Sequence, residues 1–263
     1  MPKTILLTGA TDGIGLEAAK LLAAEGHRVL LHGRSAAKME AALAAVEGLP
    51  GACEGVLGDL SIMADVEALA TAVSDKVDHL DVLINNAGIL KTPNVRTADD
   101  LDIRFAVNTL APYLLAKRLL PLIPADGRIV NLSSAAQAPV SLDALKGQGQ
   151  LADMEAYSQS KLAITAWSRA MAQSLPDGPL VVSVNPGSLL ATKMVQEGFG
   201  IAGSDVGIGA DIVYRAAVSD EFEGMSGAYY DNDAKKFGPP HPDALNAGAA
   251  QAIMTAMDEV LTR

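Results

Sequence analysis

Seven short apolar runs recur along the chain, TILLT, HRVLLH, CEGVL, LDVLINNAG, GRIVNLSS, LVVSVNPG and GAYY, most of them ending in Gly, Asn, Ser or Asp. Runs this short and this apolar read as strands covered on both faces. Helix-patterned segments separate them. In IGLEAAKLLAAEG, Ile14, Ala18, Leu21 and Leu22 recur at i, i+4, i+7 and i+8, which predicts one apolar stripe with Gly26 as the helix stop. Such alternation specifies an α/β, doubly wound parallel sheet of Rossmann type, about seven strands with helices on both faces. No linker or internal repeat interrupts the pattern, so residues 1–263 are expected to form one domain. Two Gly-rich stretches, LKGQGQ and EGFGIAGSDVGIGA, read as mobile loops, the second as a candidate lid.

Composition narrows the partners. Hydrophobic residues make up 49% of the chain and mean hydropathy is +0.23, which excludes disorder. No apolar run approaches the ~18 residues of a membrane span. A net charge of −11 and a pI near 4.7 repel phosphate backbones and anionic lipid, so neither nucleic acid nor a membrane surface is an expected partner. The start, MPKTILLTG, predicts no signal peptide, and the single Cys53 provides no disulfide framework and reads as a buried thiol. A cytoplasmic location is expected.

An anionic ligand must then be held locally, and TGATDGIG at 8–15 is suited to that. Gly9, Gly13 and Gly15 lie where the first strand turns into the first helix, so backbone amides and the positive helix end can approach a diphosphate. A tight βα turn alone also favours glycine, so the second strand is the independent test. It ends in LLHGRS, where Gly33 and Arg34 stand in place of the carboxylate that would hold an adenosine 2′-hydroxyl. A guanidinium there pairs with a 2′-phosphate, which favours NADP(H), with NAD(H) as the second option. The alternative is an Arg34 on a solvated face. Asp12 runs against a phosphate and is expected to cap the helix amides.

Chemistry is expected beyond the carboxyl ends of the later strands. YSQSK places Tyr157 and Lys161 one helical turn apart, so an ammonium lies near a phenol and is expected to draw its pKa of ~10 toward neutrality. Tyr113 and Lys117 share the spacing, but no hydroxyl-bearing strand end precedes them, and they read as packing and surface charge. Ser133 and Ser134 end RIVNLSS, where a hydroxyl facing the tyrosine helix can hold a carbonyl oxygen. Neither serine has a G-x-S-x-G setting. His27, His32, His79 and His241 read as surface or packing residues, with His32 beside the adenosine pocket, and no metal-ligand spacing occurs.

Taken together, the motifs resemble those of the short-chain dehydrogenase/reductase family over nearly the whole chain. TGATDGIG is similar to its T-G-x-x-x-G-x-G, GDL at 58–60 to its D-L, NNAG at 85–88 to its N-N-A-G, YSQSK to its Y-x-x-x-K and VNPG at 184–187 to its later P-G. The resemblance implies a cofactor site made by Gly9, Thr11, Asp12, Gly13, Ile14 and Gly15, with Arg34, Asp59 and Leu60 at the adenosine. Asn86, Ala87 and Gly88 would line the ribose, and Pro186, Gly187, Leu189 and Thr192 the nicotinamide side. It further implies Asn108 as a helix-kinking anchor for a relay water, Ser134 as the substrate-binding serine and Tyr157 as the proton donor. Lys161 would lower the tyrosine pKa and hold the ribose hydroxyls. Read without the family, NNAG is a strand-ending turn and Asn108 a helix residue bonded to its own backbone.

Two departures shape the expectation. Ser134 and Tyr157 are 23 residues apart rather than about 13, so segment 135–155 reads as an insertion. That insertion is similar to the retinol dehydrogenase and protochlorophyllide reductase side of the family, whose substrates are bulky and apolar. Thr192 also lies one residue later than the family's nicotinamide threonine. Segment 188–209 would be the substrate loop, with Met194, Val195 and Phe199 as pocket or packing residues. The expected protein is therefore an NADP-preferring oxidoreductase interconverting an apolar alcohol and its aldehyde or ketone. The alternatives are an NADP-sensing scaffold and, behind it, a dinucleotide-dependent epimerase or dehydratase. The resemblance also implies a homo-oligomer paired through the Tyr113 and Tyr157 helices.

Overall fold

A computed structural model describes the backbone of residues 1–263 and every side chain except that of Phe199, whose expected pocket role lies outside the described residues. The first half alternates β1 (Thr4–Leu7), α1 (Gly13–Ala24), β2 (Arg28–Gly33), α2 (Ala36–Val46), β3 (Cys53–Leu57), α3 (Met63–Ser74) and β4 (Val82–Asn85). Then α4 (Ile103–Phe105), a π-helical turn at Ala106–Leu110 and α5 (Ala111–Leu119) run on in helical backbone to β5 (Arg128–Leu132). After these come α6 (Leu142–Leu145), α7 (Asp153–Ser174), β6 (Leu180–Asn185), α8 (Lys193–Phe199) and α9 (Gly207–Val218). The chain ends with β7 (Tyr229–Asp231), β8 (Lys236–Gly238), α10 (Pro242–Leu245) and α11 (Ala247–Leu261).

The strands form one sheet in the order β3-β2-β1-β4-β5-β6-β7-β8, parallel except for the last pair. The seven expected strands are joined by an eighth, the three-residue KFG, too short to announce itself by alternation. Side-chain period explains the apolar runs. Leu6, Leu30, Leu83, Ile129 and Val181 enter one core with Trp167, while Ile5, Leu7, Val29, Leu31, Val82 and Val130 enter the other. Both faces are buried, so the central strands are mostly apolar on both sides, with buried polar residues such as Asn85, Asn131 and Ser183 among them.

In α1 the buried stripe is Gly15, Ala18, Ala19, Leu22 and Ala23, whereas Leu21 is 40% exposed. Ala18 and Leu22 of the expected stripe are buried; Leu21 is not, and the small residues Gly15, Ala19 and Ala23 complete the buried face. The strand order reverses between β1 and β4, which opens a crevice beyond their carboxyl ends. Among the described residues no helix is long and apolar enough to cross a membrane.

Candidate active site

The crevice begins with a laced pair of turns. Thr8, just past β1, accepts hydrogen bonds at Oγ1 from the amides of Asn86 (3.0 Å) and Ala87 (3.1 Å), and Asn86 Nδ2 donates back to the carbonyls of Thr8 (2.8 Å) and Gly9 (3.1 Å). This binds the Gly-rich turn to NNAG. The approach leaves no room for side chains: at φ +65° a Cβ on Gly9 would lie 2.9 Å from Ala87 Cα, and one on Gly15 would run into the Gly9 carbonyl oxygen. Among the described residues the amides of Ile14 and Gly15, in the first turn of α1, meet no acceptor. A cradle that any Cβ would fill, with free amides at its rim, fits a dinucleotide diphosphate.

His32 pins the floor of this turn. Burial holds its imidazole below the ordinary pKa, and the neutral ring bonds Gly58 O at Nε2 (3.0 Å) while accepting the Gly9 amide at Nδ1 (3.4 Å).

At the adenosine side Arg34 is exposed and, among the described residues, meets no hydrogen-bond or ion-pair partner. One turn later, Lys38 explains Asp12. Its ammonium lies 2.9 Å from Asp12 Oδ2, while Oδ1 accepts the Gly13 amide at 2.9 Å, so the carboxylate caps α1 as expected and its charge is balanced. Lys38, more than any other group, keeps the Asp12 carboxyl below its usual pKa. Across the crevice Asp59 Oδ1 accepts from Ser61 N (2.9 Å) and Ser61 Oγ (2.7 Å), beside the buried Leu60.

The chemistry-bearing side chains meet beyond β5. Ser133 turns inward, its hydroxyl 2.6 Å from Thr165 Oγ1, whereas the Ser134 hydroxyl accepts the Ala136 amide at 3.1 Å and faces the Tyr157 phenol. Lys161 Nζ donates to Leu132 O at 2.7 Å and stands 5.7 Å from the centre of the Tyr157 ring. Asn108 lies in the π-helical turn, a helix irregularity often associated with functional sites. It does not bond its own helix backbone: Oδ1 accepts Ile89 N (2.8 Å), and Nδ2 donates to Ile89 O and Ser160 Oγ, both at 2.9 Å. A Cβ built on Gly88 would lie 3.6 Å from each of Asn108 Oδ1, Lys161 Nζ and Met194 Cε, which marks where these elements converge. The other Tyr/Lys pair is elsewhere, with Tyr113 Oη (3.1 Å) and Lys117 Nζ (2.7 Å) both on Asp258 of α11.

One expectation is corrected. The Tyr157 pKa is raised rather than drawn down: burial is the larger cause, and the Ser134 hydrogen bond opposes it. Lys161 is held away by the Leu132 carbonyl. Burial lowers Lys161 itself to about 8. Below that pH the folded chain carries a buried ammonium, and between about 8 and its unfolded value of 10.5 the unfolded state binds more protons, so stability rises with pH. Wild type is therefore expected to gain stability relative to Lys161→Met across that window, read from urea melts at stepped pH; parallel curves would contradict it.

Segment 135–155 connects Ser134 to the start of α7, and Met194 of segment 188–209 reaches the convergence point. Arg96 donates to the carbonyls of Gly147 (2.6 Å) and Gly149 (2.8 Å), so LKGQGQ is held rather than loose. The second Gly-rich stretch is partly helical, forming the end of α8 and the start of α9. Thr192 caps α8, its Oγ1 3.3 Å from Val195 N, and its methyl would lie 3.6 Å from a Cβ on Gly13. Val195 is buried and packs the segment down, while Leu189 is exposed at φ +53°. Pro186 O accepts Asn232 Nδ2 at 2.9 Å, and Gly187 N donates to Asn185 Oδ1 at 3.3 Å. Thr8 and Lys38 are neighbours that motif spacing did not single out, whereas His32 lies by the adenosine side as expected. Only the Thr-Gly pair opening the loop signalled the first.

A parallel sheet with a diphosphate cradle at its switch point, and a tyrosine, lysine and serine gathered beside it, defines an NAD(P)-dependent oxidoreductase of the alcohol/carbonyl class. The family model described as short chain dehydrogenase matches residues 3–199. The chain belongs to the short-chain dehydrogenase family, on its retinol dehydrogenase-like side. It is 30% identical to retinol dehydrogenase 13 of Homo sapiens over 275 aligned positions, covering 95% of this chain and 82% of that one. Its structure is similar to that of an uncharacterised protein from Mycobacterium Paratuberculosis, with TM-score 0.82, 28% identity and coverage of 99% and 93% of the two chains. It is also similar to a short chain dehydrogenase from Burkholderia cenocepacia J2315 in complex with NADP, with TM-score 0.68, 26% identity and coverage of 87% and 95%.

Proposed function

We propose that this chain is an NADP-preferring oxidoreductase that interconverts an apolar alcohol and its aldehyde or ketone, with Tyr157 as general acid and base. The observation that carries the reading is Tyr157 with Ser134 at its phenol and Lys161 one turn away, beside the cradle of Gly9, Thr11, Gly13, Ile14 and Gly15. Bound NADP(H) supplies or accepts the hydride. In reduction Ser134 Oγ donates a hydrogen bond to the substrate carbonyl oxygen, and Tyr157 Oη gives it a proton. A phenol kept protonated by burial is ready to donate at neutral pH. Lys161 contributes positive charge as the phenolate forms and holds ribose hydroxyls, and Asn108 keeps the Ile89 backbone beside them. Asp59, Leu60, Asn86, Ala87 and Gly88 hold the adenosine and ribose, with Pro186, Gly187, Leu189 and Thr192 opposite.

Arg34 supports the NADP preference, because it is a free guanidinium at the end of β2. Lys38 is a second cation within reach, shared with Asp12. The expected result is that Arg34→Ala weakens NADPH binding by about 10- to 100-fold, the worth of a charge-assisted hydrogen bond, and leaves NADH binding within about twofold. Fluorescence titration of both cofactors measures this, and equal effects would remove the preference. Segment 135–155 is the roof of the substrate site and 188–209 its loop. The apolar substrate class is supported by Met194 at the convergence point and by the name of the retinol dehydrogenase relative. Cofactor oxidation with a panel of aldehydes and ketones tests the activity itself.

A further inference from the structure

Ser134 lies beyond the last ladder residue of β5, so the sheet does not hold its carbonyl. Two side chains do. Tyr229 Oη donates to Ser134 O at 3.0 Å and Gln137 Nε2 donates to it at 2.9 Å. Gln137 is itself tethered, its Oε1 accepting the His241 amide at 3.3 Å. Tyr229 opens β7, is 6% exposed, and sits in register opposite Ser183 of β6, so its ring is fixed by the sheet. Two phenols thus bracket one serine, Tyr157 at its hydroxyl and Tyr229 at its carbonyl.

The geometry points to Tyr229, with Gln137, as a positioning residue of the reaction: by holding the Ser134 carbonyl it aims the Ser134 hydroxyl at Tyr157. This rests on the reading of Tyr157 as the general acid and base. Burial pushes the Tyr229 phenol well above its ordinary pKa, with Asp231, Asp233 and Tyr157 acting the same way, so it remains a donor across the working range. The groups facing the Tyr157 phenol are Ser134 just past β5, Lys161 one turn on along α7 and Tyr229 from β7, with Asp231 and Asp233 behind Tyr229. Of these, Ser134 favours the phenolate through its hydrogen bond. Loosening Ser134 therefore raises the pKa of Tyr157 and misplaces the substrate oxygen, and misplacement by about 1 Å can cost up to 10²-fold in rate.

The test is Tyr229→Phe, which keeps the ring and removes only the donor, assayed with NADP and the best-oxidised member of a panel of primary aromatic and aliphatic alcohols. The expected result is a kcat about tenfold lower, with the rising limb of kcat/KM displaced to higher pH because the phenolate forms later. The thermal midpoint should stay within about 3 °C of wild type. Gln137→Ala should displace the limb in the same direction, and carries the test if Tyr229→Phe does not fold. An unmoved pH profile in the folded variant, whatever its midpoint, overturns the inference. If Tyr157→Phe is inactive while that profile is unmoved, only the role of Tyr229 falls; if Tyr157→Phe stays active, the reading beneath it falls.

Discussion

Tyr157→Phe is expected to lower carbonyl reduction by roughly 10²–10⁴-fold in kcat, the usual worth of a positioned general acid, while NADPH binding stays within about threefold of wild type. The ring packing survives the change, and the single group lost is the hydroxyl that Ser134 faces. The cofactor cradle is built by other residues, Thr8, Gly9, Gly15 and Asn86, whose mutual bonds do not pass through Tyr157. Single-turnover assays with NADPH and a reactive aldehyde separate the two readouts. A kcat within about threefold of wild type would mean that the proton comes from elsewhere, and the assignment would fail.

Arg104→Ala is expected to destabilise the chain by about 3–5 kcal/mol, because it strands buried carboxylate charge. Arg104 is 0% exposed, and its guanidinium bonds Asp102 Oδ2 and Asp153 Oδ1, each at 2.7 Å. Asp102, also buried, would lose the counter-charge that makes its own burial tolerable. Asp153 is half-exposed, so Asp153→Asn is expected to cost no more than about 1 kcal/mol. Denaturant melts of the three proteins test the contrast. A loss below about 1 kcal/mol in Arg104→Ala would show that water replaces the arginine there. The position matters for the site as well, since α4 leads into the turn holding Asn108 and Asp153 begins the helix carrying Tyr157.

The sheet and the principal residues of the candidate site were legible because their signals are local. An apolar run, a Gly-rich turn and a one-turn Tyr/Lys spacing are each visible within a few positions. What was not legible depends on strand order or on burial. Asp12 is an unexplained anion in the sequence until β2 brings Lys38 beside it, 26 residues away. Thr8 and Asn86, 78 apart, meet only because β4 pairs with β1. The Tyr157 pKa went the other way because a sequence shows the lysine but not how much water the fold removes from the phenol. Leu21 faces solvent because closeness to the sheet selects Gly15 and Ala19 over larger side chains.

Chains are made from the amino terminus, and domains generally fold as units during synthesis. Tyr229, which latches Ser134, lies 95 residues downstream of it. When α7 has left the ribosome, the nascent protein already owns its Gly-rich turn, Ser134, Tyr157 and Lys161. It still lacks the donor from β7, so the serine carbonyl acquires that hydrogen bond only after most of the polypeptide exists. A protein stalled or clipped before residue 229 would keep every family motif described above and lack one of the two side-chain bonds to the Ser134 carbonyl.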